Sequence, residues 1–174
     1  RMTRILIGDM GSGKTIVGIL SALIAAKNNY QVAFMAPTEI LALQHFKNYR
    51  GFLEELNIKS EILTGSISLK NKKDIYNRLA QGEIDILFGT HALFQEDVVF
   101  KRLGLVITDE QQRFGVEQRK LLAEKGEKPD LLILTATPIP RTRALTIYGD
   151  LDVSVIDSLP ENRRKIDTFL VDKG

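Results

Sequence analysis

Residues 8–15, Gly-Asp-Met-Gly-Ser-Gly-Lys-Thr, match the phosphate-binding pattern Gly-x-x-x-x-Gly-Lys-Ser/Thr at every fixed position. Glycines let the backbone curl close to phosphate oxygens, and N–H groups at the start of a helix attract an anion. Lys14 would contact the β- and γ-phosphates, and Thr15 would supply a hydroxyl to Mg²⁺. A glycine-rich turn without a ligand is the alternative. The predicted nucleotide-binding residues are Gly8, Asp9, Met10, Gly11, Ser12, Gly13, Lys14 and Thr15.

Two adjacent acids, Asp109 and Glu110, end a later apolar run. In open α/β sheets, ligands bind at the carboxyl ends of the strands, where these acids would lie. Asp109 can hold Mg²⁺, which offsets the repulsion between the two carboxylates, and Glu110 can orient or deprotonate the attacking water. Alone, such a pair is more typical of a surface turn. After a phosphate-binding loop it favours hydrolysis of a nucleoside triphosphate, with Lys14, Asp109 and Glu110 as the predicted catalytic residues.

Apolar runs of strand length alternate along the chain with stretches of helical spacing, which predicts βαβ units and a parallel sheet of an α/β fold. The near-continuous hydrophobicity of several runs is typical of strands buried on both faces. Thr38 is placed to cap the second helix. Strands are predicted at 4–7, 31–36, 59–63, 85–89, 103–109, 131–135 and 153–156, and helices at 15–28, 39–56, 69–81, 117–125 and 141–148.

The size and composition of the chain narrow the class of protein. Its 174 residues suit one domain. A content of 44% hydrophobic and 26% charged residues is ordinary for a globular protein and argues against disorder, collagen and coiled coil. The absence of cysteine excludes disulfides and thiolate metal sites. A net charge of +2 gives only weak support for nucleic-acid binding. No apolar run is long enough for a membrane span.

Three short runs carry a family resemblance: 109–112 (Asp-Glu-Gln-Gln), 135–137 (Thr-Ala-Thr) and 36–39 (Ala-Pro-Thr-Glu) resemble motifs II, III and Ia of superfamily 2 helicases. Longer runs at 36–42, 89–95, 113–119, 135–142 and 148–154 resemble the bacterial branched-DNA helicases more closely. The resemblance covers essentially the whole chain. The transcription-repair coupling factors have related motifs, and a motor domain of that type is the alternative.

The resemblance implies an ATP-dependent DNA translocase that remodels stalled forks and Holliday junctions in recombination and repair, in the bacterial cytoplasm with the nucleoid. The implied fold is a three-layer RecA-like P-loop NTPase domain with a mainly parallel central sheet. Residues 1–174 would be one helicase ATP-binding domain, the first RecA-like motor domain, excised from a longer protein. Residues 159–174 would connect it to an absent second motor domain. The implied partners are branched DNA, bound through its phosphates independently of sequence, that second domain and a wedge domain, and no membrane.

The resemblance also assigns roles to individual residues. Thr15 and Asp109 would hold Mg²⁺, while Thr135 and Thr137 would relay the nucleotide state to the DNA side. Gln112 stands where the branched-DNA helicases have His, and because Gln keeps a donor and an acceptor but cannot become a cation, we expect modified coupling rather than its loss. The predicted DNA contacts are Pro37, Thr38, Thr64, Gly65, Thr90 and His91.

Three other functions agree with only part of the pattern, and each leaves some of the residues unexplained or without a partner domain. In the helicase family the arginine finger lies on the second motor domain, so this chain alone would be a module that binds Mg-ATP with little turnover. A phosphate-loop kinase for a small molecule generally needs no glutamate beside the metal-binding aspartate, because its acceptor is the substrate. A non-enzymatic DNA clamp would have no use for Lys14 and the two acids.

Overall fold

The computed structural model describes residues 3–7, 13–109, 129–135 and 152–155, with side chains described for 13–109 except Phe94 and for 129–134. The strands are β1 (Thr3–Ile7), β2 (Gln31–Met35), β3 (Ser60–Leu63), β4 (Ile86–Gly89), β5 (Leu103–Asp109), β6 (Asp130–Thr135) and β7 (Asp152–Val155). The α-helices are α1 (Lys14–Lys27), α2 (Glu39–Glu55) and α3 (Leu69–Ala80), and a short 3₁₀ helix spans His91–Phe94.

Within these ranges the seven strands form one sheet in the order β3-β4-β2-β5-β6-β1-β7, and every neighbouring pair is parallel. All seven predicted strands and the first three predicted helices are confirmed, with ends that differ by about one residue. The predicted helices at 117–125 and 141–148 lie outside the described residues. Because the sheet is parallel, the carboxyl ends of its strands share one edge.

Helices cover both faces of the sheet, which confirms the predicted three-layer α/β fold. Alternate residues of β2 enter different cores, since Val32 and Phe34 pack with α1 and α2 while Ala33 and Met35 pack with α3. The same alternation in the other central strands explains their near-continuous hydrophobicity. Thr38 accepts a hydrogen bond from the backbone N–H of Leu41 at 3.2 Å, so the predicted cap of α2 is confirmed.

Gly89, the last residue of β4, lies in a space that has no room for a side chain. A Cβ atom there would be 2.7 Å from the carbonyl oxygen of Leu63 and 2.8 Å from Cδ2 of Leu93. We expect Gly89→Ala to lower the free energy of unfolding by about 1–3 kcal/mol, as other overpacked core positions do.

Gly51 supplies the matched control for that substitution. It lies inside α2, and a Cβ atom there would meet no atom of the described residues within 4 Å. Gly51→Ala is therefore expected to raise the free energy of unfolding by about 0.5–1 kcal/mol. Urea unfolding of the two variants measures both effects. Equal midpoints for the two would contradict the close packing at the end of β4.

In the part of the chain that the structure describes, no helix is both long enough and apolar enough to cross a membrane.

Candidate functional site

The carboxyl edge of the sheet collects the predicted functional residues of the described ranges. We call the carboxyl ends of β1, β5 and β6, with the start of α1, the nucleotide half. The carboxyl ends of β2, β3 and β4, with the loops that follow them, form the strand-contact half, named for the DNA strand that these loops are predicted to contact. The two halves meet between β2 and β5, which are neighbours in the sheet. The carboxyl end of β5 in the nucleotide half therefore lies beside the carboxyl end of β2 in the strand-contact half.

The start of α1 contains the end of the predicted phosphate-binding loop. Gly13 has a φ of +87°, a backbone conformation that strongly favours glycine, and its carbonyl accepts the first bond of the helix from Val17 at 3.0 Å. Lys14 is buried and Thr15 is half-buried. Both lie at the positive end of the α1 dipole, where a bound anion is stabilised. The other predicted loop residues, 8–12, lie outside the described residues.

Asp109 ends β5 on the face covered by α1 and α2, because it continues the alternation of Leu105 and Ile107. Its side chain is buried, and its Oδ2 lies 2.8 Å from Nε2 of His45 on α2. Its Oδ1 is also buried and has no hydrogen-bond partner among the described residues. A buried carboxylate oxygen without a donor is unfavourable, and it is the type of ligand that Mg²⁺ prefers. The donor set therefore fits a magnesium ion.

The described ranges contain no group of three or more His, Cys, Asp or Glu residues that could hold a metal by themselves. A magnesium ion at Asp109 would thus take most of its ligands from phosphates and water, as this ion usually does in nucleotide sites. Thr15 is the other predicted ligand in the described part of the chain. Glu110, Gln112 and Thr137 lie outside the described residues, and Thr135 ends β6 with only its backbone described.

The sequence did not predict the contact between His45 and Asp109, which are 64 positions apart. His45 was expected only as a half-buried residue of α2. One local signal was present, because His45 falls within the inward-facing stripe of α2 that includes Ala42 and Phe46. Tyr49 lies one turn further along the helix, and burial raises the pKa of its hydroxyl above the ordinary value, so it stays uncharged well beyond neutral pH.

The strand-contact half is ordered by its own hydrogen bonds. Glu39, the first residue of α2, accepts a hydrogen bond from the backbone N–H of Gly65, which ties the loop after β3 to the start of α2. The hydroxyl groups of Thr64 and Ser66 are 3.0 Å apart. The N–H of Gly65 is therefore already used inside the protein, and the hydroxyl oxygen of Thr38 is used as an acceptor from Leu41 while its O–H can still donate.

The predicted DNA contacts differ in their exposure. Thr38, Gly65 and His91 are exposed, and Pro37 is half-buried, whereas Thr64 and Thr90 are buried. The exposed members belong to the loops after three neighbouring strands, so the structure brings them to one end of the same edge. Their contact with DNA stays a prediction.

A family model of the DEAD/DEAH box helicases matches residues 2–145 of the chain. The chain belongs to the DEAD/DEAH box helicase family. This helicase domain is 54% identical over 171 residues to the ATP-dependent DNA helicase RecG of Bacillus subtilis, a match that covers 98% of the chain and 25% of that protein. It is 55% identical over 171 residues to RecG of Aquifex aeolicus, a match that covers 97% of this chain and 22% of that protein. The domain thus spans about a quarter of the length of these curated relatives.

Solved structures of other helicases resemble this helicase domain. A RecG bound to a three-way DNA junction superposes with a TM-score of 0.77 at 46% identity, over 94% of this chain and 22% of that one. The Hef helicase domain of Pyrococcus furiosus has a TM-score of 0.69 at 20% identity, over 90% of this chain and 35% of that one. A likeness at this identity supports the fold alone. These matches confirm the predicted RecA-like fold and the resemblance to bacterial branched-DNA helicases. Membership of the helicase family implies that the domain binds ATP.

Proposed function

We propose that this chain is the first RecA-like motor domain of an ATP-dependent helicase that remodels branched DNA, such as stalled forks and Holliday junctions, in recombination and repair. The observation that carries the proposal is the arrangement of the carboxyl edge. The nucleotide half and the strand-contact half are formed by neighbouring strands of one parallel sheet. The RecG relatives, including one bound to a three-way DNA junction, support branched DNA as the substrate.

In this proposal the residues of the nucleotide half divide the work of hydrolysis. The backbone of residues 8–13 and the side chain of Lys14 hold the phosphates. Thr15 and Asp109 would hold Mg²⁺, which offsets phosphate charge when it is bound. Glu110 orients the attacking water and accepts its proton.

The strand-contact half serves DNA without reading its sequence. The exposed O–H of Thr38 and a ring N–H of His91 can donate to phosphates, and phosphate contacts position a strand without specifying bases. Gln112, Thr135 and Thr137 would transmit the nucleotide state toward this half. This lack of base readout suits a motor that moves along any sequence.

The other proposed partners of the domain follow from the fraction of its relatives' length that the chain covers. Because the chain spans about a quarter of their length, we assign residues 1–174 to one domain of a longer bacterial protein of the cytoplasm and nucleoid. Residues 159–174, which lie outside the described residues, would lead to a second RecA-like domain. A separate wedge domain would recognise the junction.

Unwinding of a three-way DNA junction by the full-length protein tests this proposal. Lys14→Ala is expected to lower the rates of ATP hydrolysis and of junction unwinding by about 100-fold or more, because it removes a preorganised charge from the phosphates. Lys27→Ala is the control at the other end of α1, where Nζ of Lys27 donates to the carbonyl of Leu56 at 2.7 Å. It should leave both rates close to those of the unaltered protein.

Two results would contradict the proposed function. One is an intact junction after ATP has been hydrolysed, and the other is transfer of phosphate to a small-molecule acceptor. The second result would identify the protein as a kinase.

A further inference from the structure

His45 joins the two halves of the carboxyl edge through α2. The helix begins beside Thr38, and its first residue, Glu39, holds the backbone of Gly65 in the loop after β3. Six residues after Glu39, about 9 Å along the helix axis at 1.5 Å per residue, Nε2 of His45 lies 2.8 Å from Oδ2 of Asp109. One rigid helix therefore contacts both the strand-contact half and the carboxylate of the nucleotide half.

The contact leaves the two oxygens of Asp109 with different hydrogen bonding. A carboxylate can only accept hydrogen bonds, so Nε2 of His45 is the donor. The bond occupies Oδ2, while the buried Oδ1 has no partner among the described residues. Without the bond, the carboxyl group could rotate about its last torsion, which is broad for aspartate. The bond from His45 thus fixes which oxygen of Asp109 is left without a partner among the described residues.

The imidazole ring of His45 is itself held in place. Its side chain is only 12% exposed, and its ring centroid lies 5.4 Å from that of Phe34 in a tilted arrangement. Phe34 belongs to the core between the sheet and α1 and α2. A donor with so little freedom can set the orientation of the carboxylate, and a shift of α2 would move this donor as well.

We propose that His45 is a positioning residue that orients Asp109 for the metal-bound nucleotide and transmits movements of the start of α2 to that carboxylate. Partners of this kind orient metal-binding side chains in many proteins, and their loss typically weakens metal binding or activity by about 10- to 100-fold. The second part of the proposal, the link to DNA, rests on the proposed function. The first part requires only that the domain binds a metal–nucleotide complex.

Three variants of the full-length protein separate positioning from simple packing. His45→Leu removes the donor and puts an apolar side chain of similar length in its place. His45→Gln restores an N–H donor at about the reach of Nε2. Asn48→Leu is the control, because Asn48 is an exposed residue of the same helix. Thermal unfolding of each variant reports whether the fold is kept.

The first measurement is the binding of Mn²⁺, detected by electron paramagnetic resonance, in the presence of a non-hydrolysable ATP analogue. We expect His45→Leu to weaken Mn²⁺ binding by about 10-fold or more, His45→Gln to restore most of the affinity, and Asn48→Leu to have no effect. Unchanged Mn²⁺ binding in a folded His45→Leu variant would overturn the proposal. Equal losses in the Leu and Gln variants would also overturn it, because they would mean that packing of the ring matters and its donor does not.

The second measurement is the ratio of ATP hydrolysis rates with and without a three-way DNA junction. We expect this ratio to fall about 10-fold in His45→Leu and to recover in His45→Gln. An unchanged ratio with weakened Mn²⁺ binding would overturn the link to DNA while the positioning of Asp109 stands. If the junction does not stimulate even the unaltered protein, the proposed function fails, and Mn²⁺ binding still decides whether His45 positions Asp109.

Discussion

The 174-residue chain on its own is expected to bind ATP but to hydrolyse it about 10³- to 10⁵-fold more slowly than the full-length protein does on branched DNA. The reason is the charge that develops on the transferred phosphoryl group. In related reactions an arginine finger stabilises that charge, and the resemblance to superfamily 2 helicases assigns the finger to a second motor domain. The loss should appear in the turnover rate much more than in the affinity for ATP.

The positions of the described arginines support this expectation. Three arginine side chains are described, and all are engaged away from the nucleotide half. Arg50 lies on the exposed side of α2, and Arg102 lies at the amino edge of the sheet, just before β5. Burial would lower the pKa of Arg78, but the hydrogen bonds and charges of Glu61 and Asp74 outweigh it and raise that pKa. The cation is paired with Asp74 on its own helix, α3, and with Glu61 on β3.

Phosphate release and the binding of a fluorescent ATP analogue measure the two quantities separately. Circular dichroism of the isolated chain should first establish that it is folded. The full-length protein, assayed with a three-way junction at the same ATP concentration, is the reference. Hydrolysis by the isolated chain that DNA stimulates to the full-length rate would contradict the expectation and would place every catalytic group within these residues.

Glu110→Gln in the full-length protein is expected to lower the rate of ATP hydrolysis by about 10²- to 10⁴-fold, the usual contribution of a general base. Glu110 directly follows Asp109, which ends β5 at the carboxyl edge of the sheet. Glutamine has the same shape but cannot accept a proton from water. Nucleotide binding should persist, because the residues predicted to hold the phosphates are unchanged, so the variant should retain ATP.

Glu83→Gln is the matched control for this substitution. Glu83 is exposed in the turn before β4, at the opposite edge of the sheet, and its amide variant should hydrolyse ATP at the normal rate. Single-turnover hydrolysis and retention of radiolabelled ATP distinguish a loss of chemistry from a loss of binding. Unchanged hydrolysis in Glu110→Gln would mean that another group activates the water.

Much of the fold could be predicted because its signals are local. The central strands are apolar on both faces, so they stand out as short runs such as 131–134 between more polar stretches. The cap at Thr38 depends on a backbone group three residues away. The phosphate-binding pattern was equally local, because one short loop supplies its glycines, its lysine and its hydroxyl. Each of these features needs only neighbours in sequence.

The sequence by itself thus determined the α/β class, the strands and described helices, and a family resemblance that the relatives confirm. Only the tertiary structure decided the strand order, which places β2 beside β5 and so brings the two halves of the edge together. It also decided that His45 meets Asp109 and that Glu39 holds Gly65. Hydrophobic periodicity reports which face of an element is buried, but not which distant element covers that face. Contacts between residues far apart in sequence depend on how helices cross over the sheet, and that depends on packing of the whole domain.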